Sequence, residues 1–196
     1  MKIVSINSRG VGLIEKKNWI RSIARKEKPD FIGIQETKTK SWEISQISKI
    51  WGDDMDFVEV GAIGNSGGIV SIWDKKKFIC EFVICETDFL AVIGSWEGVG
   101  GPVGFVNVYG PNSNIERRTT WHKLTRLLSK KEVRWCIFGD FNEVRTREER
   151  LNTWINMRGM VEFNEFIEEG GLIELPLSGR KYTRISDDGT KFSKLD

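Results

Sequence analysis

A set of polar side chains stands where apolar stretches of the sequence end, and their types suit chemistry on a phosphate ester. They are Asn7, Glu36, Tyr109, Asn112, Asp140 and Asn142. Carboxylate and amide oxygens bind hard cations such as Mg²⁺, an amide N–H can donate to a phosphate oxygen, and a phenol can take part in proton transfer. If the strands lie side by side, their polar ends converge on one rim, where we expect a site for a cation or a phosphate.

Each of these residues also has a simpler interpretation when it is taken alone. Asp and Asn are common turn residues, so the Gly139–Asn142 stretch (GDFN) could be only a turn after a strand. Glu36 could cap a following helix, and Tyr109 could be an aromatic side chain that closes the edge of the core. The combination carries more weight, because chance turns need not supply two carboxylates, a phenol and amides in one set.

Short strands and helices must position these residues. Apolar alternation and helical spacing predict the following elements. The predicted helices cover residues 15–28, 42–51, 115–128 and 162–168. The predicted strands and extended pieces outside the centre of the chain cover residues 2–7, 31–35, 133–138, 172–175, 182–183 and 192–195. The strand at 133–138 leads directly into the GDFN stretch.

The centre of the chain is rich in β-strand residues separated by glycine turns. The runs lie at residues 56–60, 68–73, 78–85, 89–96 and 103–109, and they are typical of an antiparallel meander. Together with the helices, they predict an α/β fold in which two β-sheets pack together with helices outside. At 196 residues, the chain is long enough for one domain with a substantial core, so we predict a single domain over residues 1–196.

The composition is globular, with 39% hydrophobic and 30% charged residues, which excludes a disordered or a membrane-embedded class. The formal net charge of +2 gives no global attraction to a polyanion. Contact with nucleic acid would need local basic clusters such as Arg117–Arg118 or the Arg145, Arg147, Arg150 and Arg158 series. Because Glu148 and Glu149 interrupt that series, it is either a solvated loop or a phosphate-binding face.

Cys80, Cys85 and Cys136 all lie in apolar runs and lack the spacing of a zinc site. We therefore predict buried free thiols in a reducing compartment. The N-terminus enters a hydrophobic strand without a signal-peptide pattern, and no apolar run approaches the ~20 residues of a membrane span. These features predict a soluble intracellular protein.

Four ordered motifs resemble the endonuclease/exonuclease/phosphatase family. They are Ser5–Gly10 (SINSRG), Pro29–Thr37 (PDFIGIQET), Val108–Asn112 (VYGPN) and Gly139–Asn142 (GDFN). The stretches GNSGGIVSIW, RTTWHKL and SGRKYTRISDDGTKFSKLD are also similar to the nuclease domain of plant LINE-type (non-LTR) retrotransposons or host copies derived from them. The resemblance implies a DNase I-like two-layer sandwich and a DNA-nicking phosphodiester hydrolase.

The resemblance also implies a role for each polar residue. Asp140 matches the position that orients or deprotonates the attacking water, and Asn142 the position that holds this water and the phosphate. Glu36 matches a ligand of Mg²⁺ or Mn²⁺ that Asn7 supports. Tyr109 and Asn112 match positions that contact the scissile phosphate. The metal would neutralise charge on the transition state while the base makes the nucleophile.

The chain departs from the family pattern in several places. The family's final Ser-Asp-His stretch does not occur, and the only histidine, His122, is expected at the surface or the core edge. Asp196, the last residue of the sequence, matches an aspartate that supports the family's histidine. Because the sequence stops before that histidine, we expect a chain without the last strands and with weakened or no activity. Arg184 stands where the family usually has tryptophan, and Arg9 replaces an acidic residue found in some relatives.

Three functions follow from these observations. The first is a Mg²⁺-dependent endonuclease that acts on DNA as a monomer, without a membrane, and in the nucleus if it is active. The second is a non-catalytic, truncated transposon remnant that folds incompletely or binds nucleic acid or a protein. The third is a phosphatase of inositol-type phosphate esters. The retrotransposon-like stretches favour the first function over the third.

Overall fold

The computed structural model describes residues 1–64, 66–175, 182–186 and 188–195. Its helices are α1 (Ile14–Glu27), α2 (Ile44–Trp51), α3 (Asn114–Leu128) and α4 (Met157–Glu169). Its strands are β1 (Ile3–Asn7), β2 (Phe31–Gln35), β3 (Met55–Val60), β4 (Ile69–Asp74), β5 (Phe78–Cys85), β6 (Phe89–Trp96), β7 (Val103–Tyr109), β8 (Arg134–Asp140), β9 (Arg150–Leu151), β10 (Arg184–Ile185) and β11 (Phe192–Ser193). A 3-10 turn covers Arg147–Glu149.

The described chain forms two compact units. Unit 1 comprises Met1–Tyr109 and Glu132–Gly139, and unit 2 comprises Gly110–Lys131 and Asp140–Asp196. The boundaries therefore fall directly after the last residue of β7 and before the last residue of β8. The single domain predicted over residues 1–196 stays a prediction.

Unit 1 contains a mixed sheet of four strands in the order β1-β2-β4-β3. β1 runs parallel to β2, with Asn7 opposite Gln35, and β4 is antiparallel to both β2 and β3. The parallel pair needs a crossover, which α1 supplies. The parallel register brings the carboxyl ends of β1 and β2 to the same edge, as we expected from the polar residues that follow them.

The second sheet of unit 1 has the order β5-β6-β7-β8. β6 pairs antiparallel with β5 and β7. Gly104 of β7 lies against the Trp135 ring, and Gly139 lies against the Val108 backbone. Because residue numbers rise together along the two strands, β8 runs parallel to β7.

The predicted antiparallel meander is corrected by the sheet order. β3 and β4 belong to one sheet, and β5, β6 and β7 belong to the other.

The two sheets of unit 1 pack face to face through aromatic side chains. The Phe31 ring stacks on Trp73 at 5.7 Å and lies 4.7 Å from Phe105 of the opposite sheet, measured between ring centroids. On the other face of the first sheet, α1 and α2 cover aliphatic residues of the strands with Ile20 and Ile47. The predicted α/β fold with two packed sheets and outer helices is confirmed.

The cysteine prediction is only partly correct. Cys80, Cys85 and Cys136 are free thiols, but none is fully buried, and Cys85 is exposed. The reason is that β5 is an edge strand, so Cys85 faces solvent although the strand is apolar, and Cys80 packs against the core but is covered only in part. Burial raises the pKa of the Cys136 thiol to about 11, so this thiol is protonated at neutral pH.

Unit 2 has a smaller core, which its helices build around aromatic side chains. The Trp121 ring of α3 stacks on Phe166 of α4 at a centroid distance of 5.1 Å, and Phe141 and Phe163 lie beside them. A small antiparallel sheet with the order β10-β11-β9 completes the unit. His122, next to Trp121, is exposed, as predicted.

The elements near the C-terminus differ from the prediction. α4 begins five residues earlier than predicted, at Met157, because Gly159 and Met160 continue the helix before the apolar spacing becomes visible. Residues 172–175 contain no strand, and the predicted extended piece at 182–183 is followed by β10 at Arg184–Ile185. The two-residue strand β9 was not predicted, since two residues carry no periodicity. Among the described residues, no helix is long and apolar enough to cross a membrane.

We expect acid to weaken unit 1 through Asp30, which lies directly before β2. Asp30 accepts hydrogen bonds from the Lys77 ammonium and, at 2.6 Å, from the Lys2 backbone N–H. Burial raises the pKa of Asp30, but the hydrogen bonds from Lys77 and Lys2 outweigh it and hold this pKa below the ordinary value of an aspartate carboxyl. Because the folded pKa is depressed, the stabilisation is complete above pH 4 and is lost as the pH falls through the folded pKa.

The free energy of unfolding from urea titrations at pH 2.5 to 7 measures this effect. Asp30→Asn should lower it at pH 7, and its difference from the unaltered protein should shrink below pH 4. Asp53→Asn, which changes an exposed carboxylate of the same unit, is the matched control. A difference for Asp30→Asn that stays constant down to pH 2.5 would contradict the prediction.

Candidate active site

Residues Asp140–Asn142 of the GDFN stretch form a tight turn in unit 2. The Asp140 side chain is nearly buried, with 5% of the residue exposed. Its Oδ1 accepts a hydrogen bond of 3.0 Å from the Asn142 backbone N–H, and Asn142 has a left-handed φ of 52°. The hydrogen bond from the Asn142 N–H to the Asp140 side chain closes an Asx-turn. Asn adopts a left-handed backbone conformation, as at position 142, more readily than most residues do. The turn therefore holds one oxygen of the Asp140 carboxylate in a fixed direction.

Two further hydrogen bonds tie this turn to the loop that starts at Gly110. The Gly110 N–H donates to the Asp140 carbonyl at 2.7 Å, and the Asn142 Nδ2 donates to the Gly110 carbonyl at 2.6 Å. A Cβ at Gly110 would lie 2.3 Å from the Phe141 carbonyl oxygen, so only glycine allows this approach. The Phe141 N–H donates to the Leu195 carbonyl at 2.8 Å. Asp140 thus lies in a turn anchored on both sides.

Asn112 lies in the same loop as Gly110 and is exposed. Its backbone carbonyl accepts a 2.8 Å hydrogen bond from Arg117 Nη1, which also donates to the Pro111 carbonyl at 2.8 Å. Arg117 therefore fixes the backbone of the loop while the Asn112 side chain reaches solvent. An exposed amide on a fixed backbone suits the predicted contact with a phosphate.

The sequence prediction missed a buried charge cluster behind this loop. The Glu143 side chain, 1% exposed, lies 3.0 Å from Arg117 Nη2 and 3.6 Å from Arg150 Nη2. Arg117, named above as part of a possible nucleic-acid-binding cluster, is itself buried. It serves the structure of the loop rather than the surface. The sequence signal was weak: Glu143 directly follows GDFN, but nothing marks a residue 26 positions away as its partner.

Asn7 ends β1 and Glu36 directly follows β2, the parallel strand beside it in unit 1. The Ser8 N–H donates to the Gln35 carbonyl at 3.0 Å, and the Gly10 N–H donates to the Glu36 carbonyl at 2.6 Å, so the two loops stay paired beyond the strands. Asn7 Oδ1 accepts a 3.1 Å hydrogen bond from the Arg9 N–H. The structure therefore places these two predicted site residues on the same edge of the sheet.

Glu36 has a left-handed φ of 53° and a partly buried side chain. The Lys38 ammonium lies 3.2 Å from its Oε1. This contact balances the charge of the Glu36 carboxylate, which is 19% exposed. Lys38 was not predicted as a site residue, although it directly follows the Gln-Glu-Thr motif.

Tyr109 ends β7 in unit 1 and is partly buried. Its backbone N–H donates to the carbonyl of Asp88 at 2.9 Å. Two residues earlier, Asn107 is fully buried, and its Oδ1 accepts a 2.6 Å hydrogen bond from Gln35 Nε2. The Asn107 Nδ2 donates to the Val70 carbonyl at 3.0 Å. These buried amides join strands of both sheets.

The Gln35–Asn107 pair was not predicted to support the site. Gln35 directly precedes Glu36, and Asn107 lies two residues before Tyr109. The hydrogen bond between the two amides therefore connects the strand that leads to Glu36 with the strand that ends at Tyr109. A detectable signal existed. An amide inside an apolar strand, as in FIGIQ and VGFVNVY, must find a hydrogen-bond partner when it is buried.

The donor set of unit 1 fits a hard divalent cation. Mg²⁺ is commonly bound through one or two carboxylates, with water and substrate phosphate completing its coordination. Glu36 offers a carboxylate and Asn7 an amide oxygen at neighbouring strand ends. Among the described residues, no three His, Cys, Asp or Glu side chains form a group that could hold a metal ion. A metal at Glu36 would therefore need water and substrate as further ligands.

Unit 1 thus contains Asn7, Glu36 and Tyr109, and unit 2 contains Asn112, Asp140 and Asn142. Within unit 1, Asn7 and Glu36 share an edge. Within unit 2, Asp140 and Asn142 share a turn that is bonded to the loop of Asn112. Asp196, predicted as a support residue, lies outside the described residues. The catalytic and metal-binding roles stay predictions.

Solved structures with a similar fold include DNA-processing enzymes. The AP endonuclease LMAP from Leishmania major is 17% identical with a TM-score of 0.66, and the match covers 86% of this chain and 66% of that one. An AP endonuclease from Archaeoglobus fulgidus is 14% identical with a TM-score of 0.66, and the match covers 86% of this chain and 70% of that one. The 3′ phosphatase NExo from Neisseria, bound to a product DNA hairpin, is 12% identical with a TM-score of 0.68, and the match covers 86% of this chain and 71% of that one. These identities establish the fold alone.

The chain spans about two thirds of the length of these solved structures. No curated protein shows a significant sequence match. The profile of the Endonuclease/Exonuclease/phosphatase family matches residues 5–195, which is nearly the whole chain. That match contains all four motifs and every site residue discussed above except Asp196. The chain therefore belongs to the endonuclease/exonuclease/phosphatase family.

Proposed function

We propose that this chain hydrolyses phosphodiester bonds of DNA with the help of a divalent cation, cutting one strand at a time. The observation that carries the proposal is the anchored turn around Asp140. A nearly buried carboxylate, held in one direction by a backbone N–H, is preorganised to orient a water molecule and accept its proton. Family membership supplies the reaction class, and the AP endonucleases and the DNA-bound 3′ phosphatase among the similar folds support DNA as the substrate.

Each site residue has a proposed task. Asp140 accepts the proton of the attacking water. Asn142 holds the turn through its bond to the Gly110 carbonyl and faces the water or phosphate with the rest of its amide. Asn112 and Tyr109 contact oxygens of the scissile phosphate. These contacts orient the phosphate for in-line attack, which lowers the entropic part of the barrier.

Glu36 and Asn7 would hold the cation, Mg²⁺ or Mn²⁺. When bound, it supplies positive charge that neutralises the phosphate and the leaving oxygen. The Lys38 ammonium lies 3.2 Å from the Glu36 carboxylate and would have to turn away for a cation to bind there. Its ammonium would then be available to a phosphate oxygen of the substrate.

We also propose that the protein derives from a plant LINE-type retrotransposon and acts in the nucleus. The stretches GNSGGIVSIW and RTTWHKL, outside the four motifs, support this origin. Genomic sequence that flanks the coding region would test it. A reverse-transcriptase reading frame, or its remains, next to this region would support the origin, and an unrelated single-copy gene without such remains would contradict it. Imaging of the tagged protein in plant cells tests the location.

Nicking of supercoiled plasmid with Mg²⁺ and with EDTA tests the activity. We expect open-circular product only with the cation and a loss of at least 10²-fold in Glu36→Ala. The test uses the 196-residue chain and the same chain continued by the codons that follow in the gene. Glu81→Ala, an exposed glutamate of unit 1, is the matched control and should nick at the unaltered rate.

Cation binding gives a second readout that does not depend on turnover. Mn²⁺ titration followed by electron paramagnetic resonance should show a site that is lost in Glu36→Ala and kept in Glu81→Ala. The proposal would be wrong if neither length of chain nicks DNA at any protein concentration. It would also be wrong if Glu36→Ala binds Mn²⁺ and nicks DNA as well as the unaltered protein.

A further inference from the structure

A small cavity opens in unit 2, and none of the residues that line it is assigned to hydrolysis. Its volume is about 170 Å³. The described side chains that line it are Arg150, Thr153, Arg184, Ser186, Lys191, Ser193 and Leu195. The cavity is smaller than the ~300–1,000 Å³ of sites for drug-sized ligands, so it suits a single chemical group. Three of its side chains are cationic and three carry hydroxyl groups.

Arg150 is the least exposed of the three cationic side chains that line the cavity. Its Nη1 donates to the Trp154 carbonyl at 3.2 Å, and its Nη2 lies 3.6 Å from Glu143. Its Nε is buried and has no hydrogen-bond partner among the described residues. A buried guanidinium N–H without an acceptor is costly, because it has lost water without gaining a protein partner. An anionic ligand in the cavity would supply the acceptor.

The cations in and beside the cavity repel one another. Burial lowers the pKa of Arg150, and the positive charges of Arg117 and Arg184 lower it further, while Glu143 opposes them. Glu143 is shared with Arg117 at 3.0 Å, so its single charge faces two guanidinium groups. The cluster therefore retains a net positive charge that an anion would neutralise.

Asp188 is hydrogen-bonded to Ser186, one of the residues that line the cavity. Asp188 Oδ1 accepts hydrogen bonds from the Ser186 hydroxyl and, at 3.1 Å, from the Thr190 N–H. These bonds lower the pKa of Asp188 to about 2. Asp188 is therefore ionised at neutral pH and opposes an anion, but a phosphate at the cavity meets two exposed cations, Arg184 and Lys191, against this one carboxylate.

The structure also separates the members of the arginine series in this region. Arg145 Nη1 lies 2.9 Å from Glu174, and Arg158 Nε lies 3.0 Å from Glu162, so each has an acidic partner on the surface. Arg150 instead lines the cavity with Arg184 and Lys191. The sequence left open whether this series was a solvated loop or a phosphate-binding face. The cavity geometry favours the second alternative for Arg150.

We propose that this cavity binds a phosphodiester group of the nucleic-acid strand, as a second phosphate contact beside the one at the site of hydrolysis. The inference rests on the proposed function, because it takes DNA as the ligand. A phosphate fits the size of the cavity, and its oxygens can accept from a guanidinium, an ammonium and hydroxyl groups. Since such contacts touch the backbone rather than the bases, the cavity positions the strand without reading its sequence.

Binding of a fluorescein-labelled DNA duplex in EDTA tests the proposal, because EDTA prevents metal-dependent cutting. The variant is Arg184→Ala with Lys191→Ala, which changes the exposed cations and spares Arg150 and its buried partner. We expect weaker binding to every sequence and a reduction of about 2 in the slope of log K against log salt concentration. Arg126→Ala, an exposed arginine on α3 of the same unit, is the control and should leave the affinity unchanged.

The outcomes separate this inference from the proposed function. Unchanged DNA affinity and salt slope in the double variant, in a protein that still nicks plasmid, would overturn the inference alone. Nicking that fails in all proteins, while the affinity falls as expected, would overturn the proposed function alone. A titration with inorganic phosphate is the remaining arm. If phosphate binds and depends on Arg184 and Lys191, whereas DNA binding does not, the ligand is a small phosphate and the strand contact is wrong.

Discussion

Replacing Asp140 by asparagine should lower the rate of Mg²⁺-dependent plasmid nicking by about 10²–10⁴-fold, the usual loss when a positioned general base is removed. The substitution keeps the shape of the side chain, and the amide oxygen can still accept the bond that the Asn142 N–H gives to Asp140 Oδ1. The turn should therefore remain while the ability to take a proton is lost. The rate constant for conversion of supercoiled to open-circular plasmid, at saturating protein, is the measurement.

Three controls show whether a lower nicking rate of Asp140→Asn reflects the loss of the base. Asp53→Asn, at an exposed carboxylate, should nick at the unaltered rate. The melting temperature of Asp140→Asn should stay near that of the unaltered protein, which would separate lost chemistry from lost folding. DNA affinity in EDTA should also persist. If Asp140→Asn folds normally and nicks within threefold of the unaltered rate, Asp140 is not the base.

The strand ends that carry the candidate site could be predicted from sequence. Apolar stretches such as FIGIQ and FLAVIGSW alternate or run continuously between turn residues, and β2 and β6 follow these limits to the residue. Glu36 and Asp140 could be singled out for the same reason: a carboxylate directly after a buried strand has to lie at the edge of a sheet. The parallel pairing of β1 and β2 then brings Asn7 to the edge where Glu36 follows.

The arrangement of those strands in sheets could not be predicted in the same way. Alternation shows which face of a strand is buried, but it does not show which strand lies beside it. β4 and β5 are separated only by residues 75–77, yet they belong to different sheets. The aromatic side chains of β2, β4 and β7 meet across the two sheets, and this packing depends on residues far apart in sequence, such as Phe31 and Phe105.

The contacts that fix the loops were also hidden in the sequence. Arg117 reads as part of a basic pair on a helix, and Glu143 as one more residue of a polar loop. Only the folded chain shows that they meet at 3.0 Å and that Arg117 also bonds two loop carbonyls. Charges are placed at the surface by default in any sequence argument, so a buried pair of long sequence separation is the feature such an argument misses most easily.

This buried cluster sets the second large effect. Glu143→Ala should lower the free energy of unfolding by about 3–5 kcal/mol, since removing one partner of a buried ion pair leaves uncompensated charge behind. Here two guanidinium groups, of Arg117 and Arg150, would lose their shared carboxylate. Urea unfolding followed by tryptophan fluorescence measures the loss. We also expect the loop of Pro111 and Asn112 to loosen, because the repelled Arg117 would leave its carbonyl partners.

The matched control is Glu162→Ala, since its partner Arg158 lies at the same 3.0 Å but is largely exposed, with 74% of its side chain accessible. Water screens that pair, so we expect a loss of at most about 1 kcal/mol. Equal losses in the two variants would show that burial of the Glu143 cluster does not matter. A further variant, Glu143→Leu with Arg117→Met, replaces two charges by apolar groups. It should be more stable than Glu143→Ala but should still nick DNA poorly, because nothing then holds the carbonyls of the Asn112 loop.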